Sequence, residues 1–185
     1  MLKLLSVLLL ICYPVLVYFG FSRFEPKYLT LGIIVALFLG RFAGTSTLSR
    51  TFGGVLFIAP VGVYLVASVI SNQEWVVRLY PAVMSVSMAA LFIGSLWSPP
   101  PLIERIARLR EPAFPPEGVR YTRALTWVWA VFLLANAAIA TWTAIVASRE
   151  TWALYNGVIS YLCIGLLLAL EYPVRRWYRA RYVPR

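Results

Sequence analysis

Ser98–Arg123, which reads SPPPLIERIARLREPAFPPEGVRYTR, is the one long stretch of this chain that cannot lie inside a lipid bilayer. It holds five arginines, three of the seven acidic residues and six of the twelve prolines. Charged side chains and a backbone interrupted by proline are costly in hydrocarbon, which offers no water as a hydrogen-bonding partner. The stretch therefore predicts a water-facing connection between the apolar blocks on either side of it.

The composition of the rest of the chain is that of an integral membrane protein. Of 185 residues, 61% are hydrophobic and only 13% are charged. The apolar residues form continuous runs of about 20, which match the thickness of a bilayer, and they lack the alternation of a membrane β-barrel. We predict a single all-α domain, a polytopic bundle of transmembrane helices.

Six spans are predicted, and a model with five stays open because the second apolar run is short. The spans cover 4–20, 28–43, 51–70, 76–97, 124–147 and 152–172. A cytoplasmic connection at 98–123 and a basic tail at 175–185 complete the chain. Small residues recur every four positions in the second span and predict close helix packing; they are Gly32, Ala36, Gly40 and Gly44.

The distribution of basic residues predicts the orientation. With six spans, 13 of the 17 Lys and Arg residues lie on the side of the N-terminus, the connection and the tail. Basic loops are retained in the cytoplasm, and the five-span alternative also places the connection and the tail there. We therefore expect a multi-pass protein with a cytoplasmic C-terminus.

Within the connection, the spacing of apolar residues predicts a short amphipathic helix at the cytoplasmic surface of the membrane. Leu102, Ile103, Ile106 and Leu109 fall on one face, and Glu104, Arg105, Arg108 and Glu111 face away from it. The helix is either a plain connector or a docking surface, and basic residues next to a span favour anionic phospholipids over nucleic acid. The candidate surface is Leu102, Glu104, Arg105, Ile106, Arg108, Leu109, Arg175, Arg176 and Arg179.

Two asparagines within predicted spans are the candidate intramembrane polar contacts. Asn136 lies in the middle of the fifth span, and Asn156 lies near the outer end of the sixth. Such an amide either bridges two helices or binds a substrate on a polar path. Bridging is the commoner role.

The residue types that are missing restrict the chemistry. The chain contains no His and no Asp, so a Ser-His-Asp triad, a His-rich metal site and an aspartate metal pair are excluded. Cys12 and Cys163 both lie in apolar runs, where a thiol behaves as a small hydrophobe. We predict no enzymatic activity, no cofactor and no metal.

A set of residues resembles a known family. The block Pro100-Pro101-Leu102-Ile103-Glu104-Arg105 is similar to one in the intracellular septation protein A family, and more closely to a related branch found with aryl-polyene or polyketide-like genes. The other matching positions are Arg78, Pro81, Arg120, Trp127, Phe132, Asn136 and Trp152. The resemblance implies a small protein of the bacterial inner membrane, tied to envelope maintenance or division, without established catalytic residues.

These observations favour an interaction or scaffold role in cell-envelope assembly or division. The partners expected are anionic phospholipids and other membrane or envelope proteins, and self-association stays open. The alternative is a transporter or flippase of a lipid or hydrophobic metabolite, with Asn136 lining its path.

Overall fold

Every regular element is a helix in residues 13–20, 23–42, 52–109, 111 and 114–182, the part of the chain that the computed structural model describes. Side chains are described over 17–20, 23–35, 60–109, 111 and 114–182. The predicted all-α class is confirmed over these residues. The first part of the predicted span 4–20 lies outside them.

The helices follow one another with short connections. They are α1 Tyr13–Gly20, α2 Pro26–Phe42, α3 Phe52–Ser71, α4 Glu74–Arg78, α5 Tyr80–Trp97, α6 Leu102–Arg108, α7 Pro116–Ile145, α8 Arg149–Leu154 and α9 Ser160–Tyr182. A π-helical turn, Tyr155–Ile159, joins α8 to α9 without a break.

Three of the described helices are long and apolar enough to cross a membrane. They are Tyr80–Trp97, Pro116–Ile145 and the continuous helix Arg149–Tyr182. The apolar parts described in α2 and α3 are shorter, Pro26–Val35 and Pro60–Ser71. The predicted membrane character is therefore confirmed.

Helices α5 and α7 pack side by side along the most extensive contact of the described chain. Ala89 of α5 and Ala130 of α7 are completely buried there, beside Phe92 and Leu133. Small side chains let two helix backbones approach closely, which is the usual basis of helix association in membranes. A second buried cluster joins α1, α2, α3, α4 and Trp152.

Helix α9 stands at the edge of this arrangement. In the most apolar part of the Arg149–Tyr182 helix only 11% of the residues are buried inside the protein, whereas 44% are buried in α5. Its exposed leucines, among them Leu162, Leu166 and Leu170, are suited to lipid.

The connections that the structure describes gather at two opposite ends of the molecule. At the first end the turns before α2, α4 and α8 meet: the Lys27 amide donates to Asn72 Oδ1 at 2.9 Å, and Arg149 pairs with Glu74 at 2.6 Å. Asn72 has a φ of 47°, a conformation that asparagine tolerates well. At the second end the segment that follows α5 meets the last turns of α9.

Two elements are longer than predicted. Helix α7 begins at Pro116, so the last part of the predicted connection 98–123 is already helical. Helix α9 continues to Tyr182, so most of the basic tail 175–185 is helical. Pro115 and Pro116 explain the early start, because proline at the first turn of a helix has the required φ and gives up no hydrogen bond.

Candidate functional site

A cleft at the second end contains three of the arginines that the sequence singles out. Its volume is about 410 Å³, and its walls come from α6, from the segment before α7, from the first turns of α7 and from the end of α9. Arg175, Arg176 and Arg179 line the α9 wall. The cleft lies where α7 and α9 change from charged to apolar sequence, at the depth of the predicted membrane interface.

Polar contacts connect the end of α9 to the segment before α7 and to the first turn of α7. Arg179 donates to both carboxylate oxygens of Glu111, at 2.9 and 2.8 Å. The Tyr178 hydroxyl donates to the Glu117 carbonyl at 3.2 Å. Both bonds to Glu111 come from Arg179 Nη2, and the pair is partly exposed. These contacts connect the two sides of the cleft opening.

A second set of contacts lies deeper in the cleft. The Tyr121 hydroxyl donates to Glu171 Oε1 at 3.1 Å, and the Tyr121 and Tyr178 rings lie 5.0 Å apart. Arg175 Nε is 3.6 Å from the same Glu171 carboxylate, a loose pair on a partly exposed surface. Glu171 is therefore shared between a neutral hydroxyl and a cation.

Apolar side chains form the opposite wall. Ile103, Leu125 and the Phe114 ring all line the cleft. A Cβ added to Gly118 would lie 2.8 Å from two atoms of that ring, so glycine allows Phe114 to rest against α7. The cleft thus offers an apolar wall facing an arginine-bearing one.

Helix α6 differs in one respect from its predicted orientation. Glu104, expected to face away from the apolar side, is only 3% exposed, and Arg108 donates to its Oε1 at 2.7 Å. The prediction that Glu104 faces outward is wrong. The short i,i+4 ion pair compensates the buried carboxylate, because a buried charge is tolerated when it is paired and hydrogen-bonded.

The other α6 candidates divide into two groups. Leu102 packs on the α5–α7 core and donates its amide to Ser95 Oγ at 2.9 Å, while Arg105 Nε donates to the Pro100 carbonyl at 2.6 Å. Ile106 and Leu109 are 54% and 84% exposed. Local structural contacts are thus made by Leu102, Arg105 and Arg108. The apolar surface that remains open to a partner consists of Ile106 and Leu109.

The two candidate asparagines lie in a polar cluster between helices. Asn136 of α7 donates from Nδ2 to Ser85 Oγ of α5 at 2.9 Å, and its Oδ1 accepts from the Tyr155 hydroxyl at 3.0 Å. The predicted bridging geometry is present at Asn136, which links three elements.

Asn156 lies in the π-helical turn. Its Nδ2 donates to Thr143 Oγ1 at 3.2 Å and to the Trp152 carbonyl at 2.9 Å. Its Oδ1 is buried and has no partner among the described residues. π-Helical turns recur at functional positions in helices, since they redirect side chains.

Arg78 is a site residue that the sequence alone did not identify as one. It is 8% exposed, and its Nη2 donates to the Thr143 and Ala147 carbonyls at 2.7 Å each. The completely buried Trp152 donates from Nε1 to the Arg78 carbonyl at 2.9 Å, with the guanidinium 5.7 Å from its ring. A usable signal existed, because Arg78 is one of few basic residues on the predicted outer side.

The small-residue stripe of α2 is described only in part. Gly32 is exposed, and a Cβ added there would meet no atom within 4 Å. No described helix therefore approaches closely at that position. Ala36 and Gly40 lie outside the residues whose side chains are described, and Gly44 lies outside the described chain.

Over the described ranges there is no group of three or more Cys, Asp or Glu residues that could hold a metal ion. Comparison with known proteins yields no match to a protein-family profile, a curated protein or a solved structure.

Proposed function

We propose that this chain is a non-enzymatic protein of the bacterial inner membrane with an interaction or scaffold role in cell-envelope assembly or division. The observation that carries the proposal is the joining of the segment before α7, the first turn of α7 and the end of α9 by the Arg179–Glu111 and Tyr178–Glu117 contacts. Glu111 is also tied to α6, because its amide donates to the Ala107 carbonyl. These contacts make one continuous surface out of parts that are distant in the sequence.

The chemistry of that surface suits binding rather than catalysis. Ile106 of α6 and Leu109 just after it are exposed, and arginines of α9 line the cleft that α6 borders. An exposed apolar patch rimmed by charge is typical of an interaction site. We place it at the cytoplasmic face, because the basic residues of the chain concentrate there.

The family resemblance supports the same proposal through its residues. Arg78, Asn136 and Trp152, which carry part of the resemblance, all take part in buried contacts between elements. We propose a relationship to the intracellular septation protein A family on this basis, and with it a fold of five or six spans.

Site-specific photocrosslinking in living cells tests the scaffold role. A photoreactive residue at Ile106 or Leu109 is expected to capture one membrane or envelope protein repeatedly, whereas one at the exposed Ile70 of the opposite end is not. Leu109→Glu is expected to abolish the crosslink at 106 and to reproduce the division or envelope defect of a deletion strain. A normal phenotype for Leu109→Glu in a well-expressed protein would contradict the proposal.

A transporter or flippase is the second candidate, and the polar cluster around Asn136 is the observation that favours it. Besides Asn156 Oδ1, the Ser87 hydroxyl is buried without a partner in the described part of the chain. A transport role predicts that Asn136→Leu abolishes function in a folded protein while Leu109→Glu does not. The reverse result favours the scaffold.

A further inference from the structure

We propose that the cleft between α6, α7 and α9 binds one anionic phospholipid, whose phosphate contacts Arg175 and Arg176 and whose acyl chain lies against Ile103 and Leu125. The inference rests on the proposed function in that it uses the same surface. It goes beyond it by naming the site, the headgroup chemistry and the residues that recognise it.

Charge complementarity is the first step of the argument. Among the described residues, Arg176 has no carboxylate within 4.0 Å and only the Tyr172 ring nearby, 6.0 Å from its guanidinium carbon. Arg175 Nε lies 3.6 Å from Glu171 Oε1, too far for a close hydrogen bond. Arg179, in contrast, donates from Nη2 to both oxygens of Glu111 at 2.9 and 2.8 Å, which directs its guanidinium toward that carboxylate. Two neighbouring guanidinium groups therefore retain donors for a phosphate, which arginine binds well.

The position of the cleft is the second step. Helix α7 becomes apolar directly after Arg123, and α9 stops being apolar at Glu171. The cleft spans this boundary, with the arginines on its polar side and Leu125 on its apolar side. A lipid phosphate lies at the same boundary, between the water and the acyl chains.

The apolar wall decides between a lipid and a free anion. Ile103, Phe114 and Leu125 make up much of the cleft surface, and a soluble phosphate would leave them in water. Toward the membrane, the exposed Leu168 lies on the same face of α9 as Glu171, Tyr172 and Arg175 and continues the apolar surface. A ligand with a charged headgroup and an apolar chain can contact the arginines and the apolar wall at the same time.

The test uses the full-length protein in mild detergent, with lipid adducts counted by native mass spectrometry. Phosphatidylglycerol is expected to bind in a ratio of one to one and more tightly than phosphatidylcholine. Because basic residues near an anionic headgroup each add to the attraction, Arg175→Gln/Arg176→Gln should weaken binding by about tenfold or more. The single variant Arg176→Gln, which removes no ion pair, should show part of the loss.

The matched control is Arg120→Gln/Arg123→Gln. It removes the same charge from exposed positions on α7 that do not line the cleft, and its lipid binding should be unchanged. Equal lipid binding by the wild type and the cleft variant overturns the inference, and so does an equal loss in the control. Inorganic phosphate that binds with the same arginine dependence overturns it too, because the site would then be one for a soluble anion.

The two proposals can fail separately. If the wild-type protein binds no phosphatidylglycerol in the cleft but still forms photocrosslinks at Ile106 and Leu109, only the lipid inference is rejected. A lipid that binds as expected in a protein without those crosslinks rejects only the scaffold role.

Discussion

At the scale of single residues, Arg78 is a buried cation whose Nη2 is bound by backbone carbonyls, while its Nε has no partner among the described residues. Its guanidinium donates to carbonyls at the C-terminal end of α7, where the helix dipole favours a positive charge. The backbone carbonyl of Arg78 accepts a hydrogen bond from the Trp152 indole. A buried cation left without such partners is strongly destabilising, so Arg78 and the end of α7 depend on each other.

We expect Arg78→Gln to lower the free energy of unfolding by about 2–4 kcal/mol, because a charged hydrogen bond contributes about 1.5–3 kcal/mol and buried acceptors lose their donor. Unfolding in mixed micelles measures the change. Lys27→Gln is the control, since its pair with Glu25 is exposed and contributes at most about 1 kcal/mol. Equal effects of the two substitutions would show that the Arg78 contacts do not stabilise the protein.

The Asn136 cluster can be tested by a double-mutant cycle. Tyr155→Phe and Asn136→Ala should each cost about 0.6–2 kcal/mol, the range for hydrogen bonds between membrane helices. The double variant should lose less stability than the sum of the two single losses, because each substitution alone already removes the 3.0 Å contact between the Tyr155 hydroxyl and Asn136. If the stability loss of the double variant equals the sum of the two single losses in the same unfolding measurement, this hydrogen bond does not stabilise the protein.

Sequence reasoning identified Asn136 and Asn156 because a carboxamide in an apolar run is conspicuous. It did not identify their partners. Ser85 is 51 residues from Asn136, and serine is common in membrane helices without any special role. Glu104 was misplaced for a related reason: helical periodicity orients it outward, and only the i,i+4 pair with Arg108 makes its burial possible.

At the scale of elements, the π-helical turn sets the direction of α9. Each residue added to or removed from a helix rotates the remainder of that helix by about 100°. The turn at Tyr155–Ile159 therefore determines which face of α9 meets the segment before α7, about twenty residues further on. No sequence pattern indicates a π-helical turn at these positions, so its effect on the cleft could not be predicted.

Deletion of Val158 should remove the extra residue of the turn and rotate Arg179 away from Glu111. In a full-length chain without Cys12 and Cys163, a bifunctional thiol reagent as long as an extended arginine side chain should join cysteines at 111 and 179, because Arg179 Nη2 lies 2.9 Å from Glu111 Oε1 in the native protein. The deletion should abolish that crosslink. Val158→Ala keeps the length of the helix and should retain it, so a crosslink that survives the deletion would separate the turn from the cleft.

At the scale of the whole molecule, the described connections group into two ends, and which end faces the cytoplasm stays a prediction from charge. The turns predicted outside the cell meet at the Glu74–Arg149 end, and the connection and the tail meet at the cleft. The all-α class and the membrane character were predictable, because they follow from the composition and from long apolar runs. The near isolation of α9 was not, since its leucines look like those of any buried span.

Cysteine labelling of intact cells tests the orientation. In a background without Cys12 and Cys163, Ala180→Cys should resist a membrane-impermeant thiol reagent, while Gln73→Cys at the other end should react once the outer membrane is opened. Permeabilising the inner membrane should make the thiol at position 180 reactive as well. Ready labelling of that thiol in intact cells would reverse the topology and place the cleft outside.

The Arg78 contacts also bear on how the protein is made. Thr143 is synthesised 65 residues after Arg78, so during translation the guanidinium ahead of α5 has none of its α7 acceptors. Because an unpaired arginine is costly at membrane depth, a nascent α5 is better held at the translocation channel until α7 emerges. We therefore expect these two helices to be released into the lipid together, as a hairpin, rather than one after the other.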